Sequence, residues 1–296
     1  MTVRSIRYAA AAACLLSAAL ACEAAAQELD ISTPEGALLA SRKIQCTVDD
    51  GVPVTYSWRG DVLARVPGEP DRLLFKVEGM NVRTCVADED AQRGKGYRLV
   101  SREILLYLDP QTGKPLREWE NPWTGETVKV VHVSNDPVNQ ASYLKTRDGK
   151  PFSLGAQVQD GRWWQTITVP LFYTNPLGGD YQDNVGGKYH ATEMFNFFGD
   201  MTSLTDPATK TAEVQVGWVR MSEWLPWMKM SGRAGLIYMH TAGRKLDRWD
   251  EMPAVMKDEI AANYPDYVGP PPLDDTRPNV TSWSFFKSLM ESGADQ

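Results

Sequence analysis

Three histidines are the side chains of this sequence best suited to moving protons near neutral pH: His132, His190 and His240. A neutral imidazole can take or give a proton in that range. His190 precedes Glu193 in Lys188-Tyr189-His190-Ala191-Thr192-Glu193, and His240 precedes Arg244. Together these segments offer two bases, a carboxylate to orient a partner and a cation to hold an anionic group. His190, His240 and Glu193 are therefore the expected catalytic residues. Arg244, Trp164, Tyr189 and Tyr238 are the expected substrate-binding residues, Arg244 by charge and Trp164 by stacking. Strand geometry sets one condition. Residues three apart on a strand face opposite ways, so His190 and Glu193 meet only across a bulge or a helical turn. Two further readings stay open. His132, His190 and His240 could converge on a divalent metal with a position left for water, although no H-x-H or H-E-x-x-H spacing asks for it. Or each is a hydrogen-bonded core or rim residue. The leading expectation has no metal and no cofactor.

Ten tryptophans and eleven tyrosines make the chain rich in flat, amphipathic side chains. Most are expected to fill core. Trp163 and Trp164 are adjacent, however, and cannot share one face of a strand, so one of them faces solvent or a ligand. Two polar stretches, Glu118 to Glu126 and Ser134 to Asn139, combine turn chemistry with carboxylates and aromatics, a mixture that suits either a turn or a functional loop. No G-x-S-x-G elbow is present, which argues against a serine hydrolase. No glycine-rich phosphate loop follows a strand, so no dinucleotide is expected.

The compartment decides how the cysteines read. Arg4 and Arg7 precede the apolar run Ala9 to Ala21, which is too short to span a bilayer, and Ala24-Ala25-Ala26 offers small residues for cleavage. Residues 1–26 are expected to be a signal peptide cut near Ala26, giving a periplasmic or secreted protein. A rival reading makes Cys22 a lipid anchor, although Ala19-Leu20-Ala21 fits a lipobox poorly. Of four cysteines, Cys46 and Cys85 lie beyond the leader, and export favours a disulfide between them. The formal charge of −7 repels phosphate backbones, so nucleic acid is not an expected partner. No second long apolar run suggests a membrane span.

The elements that must position these residues are mostly strands. Thr33-Pro34-Glu35 reads as a helix start. Val52 to Trp58, Val62 to Val66, Leu73 to Val82 and Tyr97 to Leu108 read as strands. The turn Asp109-Pro110-Gln111-Thr112-Gly113 should return Leu116 to Trp119 as a hairpin partner. Val128 to Val133, Trp163 to Tyr173, Tyr189 to Phe198, Ala212 to Arg220 and Gly235 to His240 are further strands. Ser222 is expected to cap a short helix with Trp224, Trp227 and Met228 on one side. Pro253 to Tyr264 is a helix, and Thr281 or Ser282 starts a last one carrying Trp283, Phe286 and Leu289. No βαβ alternation appears. The expected fold is mainly β: one antiparallel, barrel-like domain over residues 27–296, of lipocalin or calycin type, with helices flanking it at the N- and C-terminal ends.

Several segments resemble a large uncharacterised family, DUF1838. They are Val77 to Val82, Ser101-Arg102-Glu103, Tyr107 to Pro110, Glu118 to Glu126 and Asn135 to Val138. Beyond them come Tyr189 to Glu193 with Asn196-Phe197, Trp224 to Met228, His240-Thr241 with Gly243, and Thr281-Ser282-Trp283. The resemblance spans nearly all of the chain after the leader and implies no reaction, cofactor or catalytic residue. The expected function therefore comes from the residues alone. It is an exported enzyme doing non-redox acid–base chemistry, as a lyase, isomerase or hydrolase, on a small hydrophobic or aromatic molecule. A binding or carrier protein that leaves the same ligand unchanged is the alternative, and a three-histidine metal enzyme is the other.

Overall fold

A computed structural model describes residues 28–174 and 188–293; for residues 172–174 and 188–189 it describes the strand path and not the side chains. The expected leader, with Cys22, lies outside the described residues.

The class is the one expected, mainly antiparallel β with few helices. Ten strands form one sheet. In chain order these are β1 (Val54–Arg65), β2 (Arg72–Asp90), β3 (Gly94–Leu108), β6 (Val133–Asn135), β7 (Gln140–Tyr143), β8 (Gln157–Gln159), β9 (Arg162–Thr174), β10 (Lys188–Asp200), β11 (Gln215–Ser222) and β12 (Leu236–Leu246). They pair in the order β6-β3-β2-β1-β12-β11-β10-β9-β8, with β7 also on β3. A separate ribbon joins β4 (Glu118–Glu120) to β5 (Thr127–Lys129). Segments read as separate strands before and after Gly60 are one strand, β1, and the expected return of Leu116 to Trp119 onto β3 is limited to a bridge at Leu108 and Pro115. Trp119 pairs instead with Val128 in the ribbon. Trp224, Trp227 and Met228 are buried, but no helix carries all three: Trp227 and Met228 lie on a 3-10 turn, Pro226–Met228, Trp224 precedes it, and Ser222 ends β11.

No closed barrel is found among the described residues: no pairing joins the β6 edge to the β8 edge. The sheet nevertheless curls. Leu105 on β3 and Leu171 on β9 belong to one apolar cluster, yet they lie six strand steps apart. A flat sheet would separate them by about 29 Å at the usual spacing between strands. Strong twist and coiling of long strands bring the two ends of one face together.

That inner face is filled at both ends. At one end the 12-residue helix α1 (Pro34–Gln45) lays Ala37, Ala40 and Ile44 against Tyr56, Trp163, Phe197 and Val216. Thr33 caps it through Gly36 N, with Pro34 at its first position. A short α2 (Met201–Thr205) adds Leu204. At the other end Trp224, Trp227, Met228 and the last helix, α4 (Ser282–Glu291), bury Trp283 and Phe286 against Phe75, Val77, Leu105 and Tyr107. Thr281 and Ser284 form a capping box that fixes where α4 begins. The outer face carries α3 (Ala254–Asn263), whose Met256 and Ile260 cover Met80, Val82, Ile104 and Leu106. Among the described residues no helix is long and apolar enough to cross a membrane.

Cys46 and Cys85 form a disulfide with Cα atoms 5.9 Å apart, which ties the end of α1 to β2. The cross-link spans a sequence separation of 39 residues. Limiting the unfolded chain over such a loop is worth about 4 kcal/mol in the chain-entropy picture. Replacing both cysteines by serine should lower the unfolding free energy by about 2–4 kcal/mol, read from urea melts under oxidising conditions. An unchanged midpoint would show that the cross-link is idle.

Candidate functional site

Between the two filled ends the inner face leaves a hollow of about 470 Å³. Cross-strand pairing builds it, because residues directly opposite in an antiparallel pair share a face. One such row runs Tyr56, Asn81, Glu103, Asn135 across β1, β2, β3 and β6. The next runs Trp58, Gly79, Leu105, Val133. From the other side of the curl, β10 and β11 contribute the pairs Glu193–Arg220, Phe195–Trp218 and Phe197–Val216. Val280 to Ser284, leading into α4, complete the lining.

The walls are aromatic. Tyr56, Phe197, Phe195, Trp218 and Trp58 form a chain of ring contacts with centroids 6.1–6.4 Å apart. Trp58 can lie across the sheet because β2 carries glycine opposite it. A Cβ on Gly79 would stand 2.2 Å from the Trp58 indole nitrogen. Among the described residues the buried indole N–H groups of Trp58 and Trp218 have no hydrogen-bond acceptor, and the buried side-chain oxygen of Asn135 has no donor. Buried polar atoms are normally paired, so these three mark the hollow as chemically incomplete.

Four ionisable groups line this aromatic cup. Glu193 pairs with Arg220. The Arg83 guanidinium donates from Nε to Asn81 Oδ1 at 2.7 Å and from Nη1 to Gln45 Oε1, and it stacks 4.8 Å from the Tyr56 ring centre. Glu103 accepts one hydrogen bond from Asn135 Nδ2 at 2.6 Å. Burial pushes the Glu103 carboxyl above its ordinary range, and the Glu193 charge adds to this; the Asn135 amide, Arg83 and Arg220 oppose it only in part. A recessed carboxyl that holds its proton more tightly than usual, at the wall of an apolar cup, is suited to general acid or base work.

The structure distributes the residues expected from sequence differently. Glu193 lines the hollow. His190 and His240 do not: on regular, unbulged strands they stand on the outer face, His190 opposite in sense to Glu193 and His240 paired across from Val219. The bulge that would have joined His190 to Glu193 is absent from the pairing. Both rings are exposed, and His190 Nδ1 lies 3.3 Å from Glu223 Oε1. Arg244 is on the outer face in an ion pair with Glu251 at 2.6 Å. Tyr238 is also outside, donating to Asp71 Oδ2 at 3.1 Å. Trp164 points out from β9 beside Phe198, while its neighbour Trp163 is fully buried inside, as the adjacent pair requires. The side chain of Tyr189 lies outside the described residues. His132 is buried away from the other two, with Nδ1 accepting from Tyr107 N at 3.1 Å. The three imidazoles do not converge, and among the described residues no group of three or more His, Cys, Asp or Glu is placed to hold a metal.

Sequence reasoning passed over Arg83, Glu103, Arg220, Trp58 and Trp218. One signal was available. On β3 between Tyr97 and Tyr107, Glu103 is the charged residue on a face that otherwise reads Tyr97, Leu99, Ser101, Leu105, Tyr107, and on β2 Asn81 and Arg83 follow Phe75 and Val77 on the same face. Charge within an apolar alternation marks a cavity wall more often than a core.

A mainly antiparallel sheet curled round an aromatic hollow, with carboxyl and guanidinium groups inside, is the class of fold and site that the structure defines. The chain belongs to the family described as "Protein of unknown function (DUF1838)", whose model matches residues 51–290. No curated protein matches it. The segments of family resemblance meet at the hollow: Gly79 and Asn81, Glu103, Asn135, Glu193, Phe197 and Thr281 to Trp283 all line it or build its wall.

His132 gives this architecture a pH limit. Burial, with Arg117 nearby, pulls its pKa down to about 4, and the bond from Tyr107 N requires an unprotonated Nδ1. The unfolded chain takes up this proton from about pH 6.5 downward and the folded chain does not, so stability present above pH 6.5 drains away as pH falls toward 4. The full loss is about 3 kcal/mol at most. Unfolding melts between pH 7 and pH 4 should show this slope, and His132→Gln should flatten it.

Proposed function

We propose that this is an exported protein whose inner hollow takes a small, largely apolar or aromatic molecule and performs a non-redox acid–base step on it, with Glu103 as the proton-transfer group. The observation that carries the reading is the recessed Glu103 carboxyl, raised in pKa by burial inside an aromatic cup. The aromatic chain from Tyr56 to Trp58 holds a flat apolar body and keeps bulk water out, which strengthens every polar contact inside. Asn135 orients Glu103 through its amide. Glu193, held by Arg220, faces the same space and adds negative potential that raises the Glu103 pKa further. Glu103 then donates to a developing negative atom, or, once ionised, removes a proton from carbon or water. A lyase, isomerase or hydrolase step fits that chemistry equally. Export is supported by the leader pattern of residues 1–26 and by the disulfide, which persists in an oxidising compartment.

The test is exchange and turnover in deuterated water. A panel of small aromatic and unsaturated carbonyl compounds is incubated with the protein, and conversion or deuterium uptake is read by mass spectrometry. Glu103→Gln, which keeps the Asn135 contact, should lower the rate by about 10²–10⁴-fold with binding and melting temperature unchanged. His190→Ala and His240→Ala should leave the rate as it is. Binding without any conversion, equal in the unaltered protein and Glu103→Gln, would make the protein a carrier.

A further inference from the structure

The ionisable groups in the hollow are not all paired with one another. Of its two guanidinium groups, Arg220 is paired with Glu193. Arg83 has no carboxylate within ion-pair distance among the described residues: its partners are two neutral amides, Asn81 and Gln45, and the face of Tyr56. The group is rigid. Asn81 and Gln45 fix Nε and Nη1, the ring fixes the plane, and Nη2 makes no hydrogen bond to a described residue. Glu103, on the adjacent strand one row away, is hydrogen-bonded by Asn135 Nδ2 and makes no ion pair with Arg83 among the described residues. Lys245 adds no established positive charge here, because burial holds its amine well below the ordinary lysine pKa. Lys245 Nζ lies 5.7 Å from the centre of the same Tyr56 ring, and its hydrogen bonds run to Lys43 O, Cys46 O and Thr211 Oγ1, away from the hollow.

A fixed, partly desolvated guanidinium without a counter-ion is costly, and an anion that completes it is strongly favoured. We propose that the ligand of the hollow is a small monoanion, an apolar or aromatic body bearing a carboxylate, and that Arg83 binds its anionic end. This rests on the reading of the hollow as the ligand site. It also sets the orientation. Arg83 and Glu103 lie on adjacent strands, one inner-face row apart, a step of about 7 Å along the strand. A ligand whose carboxylate meets Arg83 therefore places an atom a few bonds away beside Glu103, and its body along Phe195, Trp218 and Trp58. The role that sequence suggested for Arg244 falls to Arg83, because Arg244 is on the outer face and already paired.

The experiment compares 2-naphthoate with its neutral isostere 2-naphthamide by isothermal titration of the purified chain. The acid should bind about ten- to a hundred-fold more tightly than the amide. Arg83→Gln should abolish that preference while leaving amide affinity within about twofold, and Arg83→Lys should keep part of it. Acid and amide binding equally to the unaltered protein would overturn the anion site. If Trp58→Ala then removed both, the hollow would stand as a ligand site and the Arg83 assignment alone would fall. Failure of both probes to bind would end both readings. The comparison within the unaltered protein decides the matter even where an Arg83 variant does not fold.

Discussion

Direct cross-strand pairing is the constraint on which the rest of this molecule depends. Over β1, β2 and β3 the pairing brings Tyr56, Asn81 and Glu103 into one row and Trp58, Gly79 and Leu105 into the next. A slip of one residue in any of these pairs would turn its strand inside out. Asn81 and Glu103 would then face α3, and Met80 and Ile104 would face the hollow. The apolar face under α3 holds the register in place, since Met80, Val82, Ile104 and Leu106 are buried there against Met256 and Ile260. The outer core thus secures the inner site, although of its residues only Ile104 reaches the lining of the hollow.

Curling of the sheet adds what pairing cannot. Row geometry alone would lay Glu103 and Glu193 far apart on a wide, flat surface. Bent round, the same face brings them into mutual electrostatic reach, and the carboxyl of Glu103 responds. Two plugs keep the curl from collapsing on itself. α1 fills one end with small residues, Ala37 and Ala40, and the indoles of Trp224, Trp227 and Trp283 fill the other. The space between them is lined by side chains that are too bulky, or too polar, to close it. The disulfide joins Cys46, next to Gln45, to Cys85, two residues along the strand from Arg83. It thereby holds the helix end that presents Gln45 to the guanidinium.

Much of the architecture was legible locally. The start of α1 at Thr33-Pro34, the capping of α4 at Thr281, the strand texture and the opposed faces of Trp163 and Trp164 follow from propensity, capping and the two-residue period of a strand, which act over a few neighbours. The return of Leu116 to Trp119 was misread because a turn motif fixes where the chain reverses, not which strand it then meets. Trp119 found Val128 instead. The facing of His190 and His240 was misread for a related reason. Histidines attract attention by their ordinary pKa, but function needs a group placed where its environment perturbs it. His190 and His240 sit on a solvated face, whereas Glu103 gains its character from neighbours such as Asn135 and Glu193, remote in sequence.

Composition and the alternation of side chains were enough to indicate a β-rich chain, and two cysteines after residue 26 were enough to suggest the pairing of Cys46 with Cys85. These depend on residue type and short-range order. Which of the many polar side chains share a cavity depends on strand order, register and curl, and those are set by long-range pairing. Asn81, Glu103, Asn135 and Glu193 span more than a hundred positions of chain, and only the folded sheet makes them neighbours.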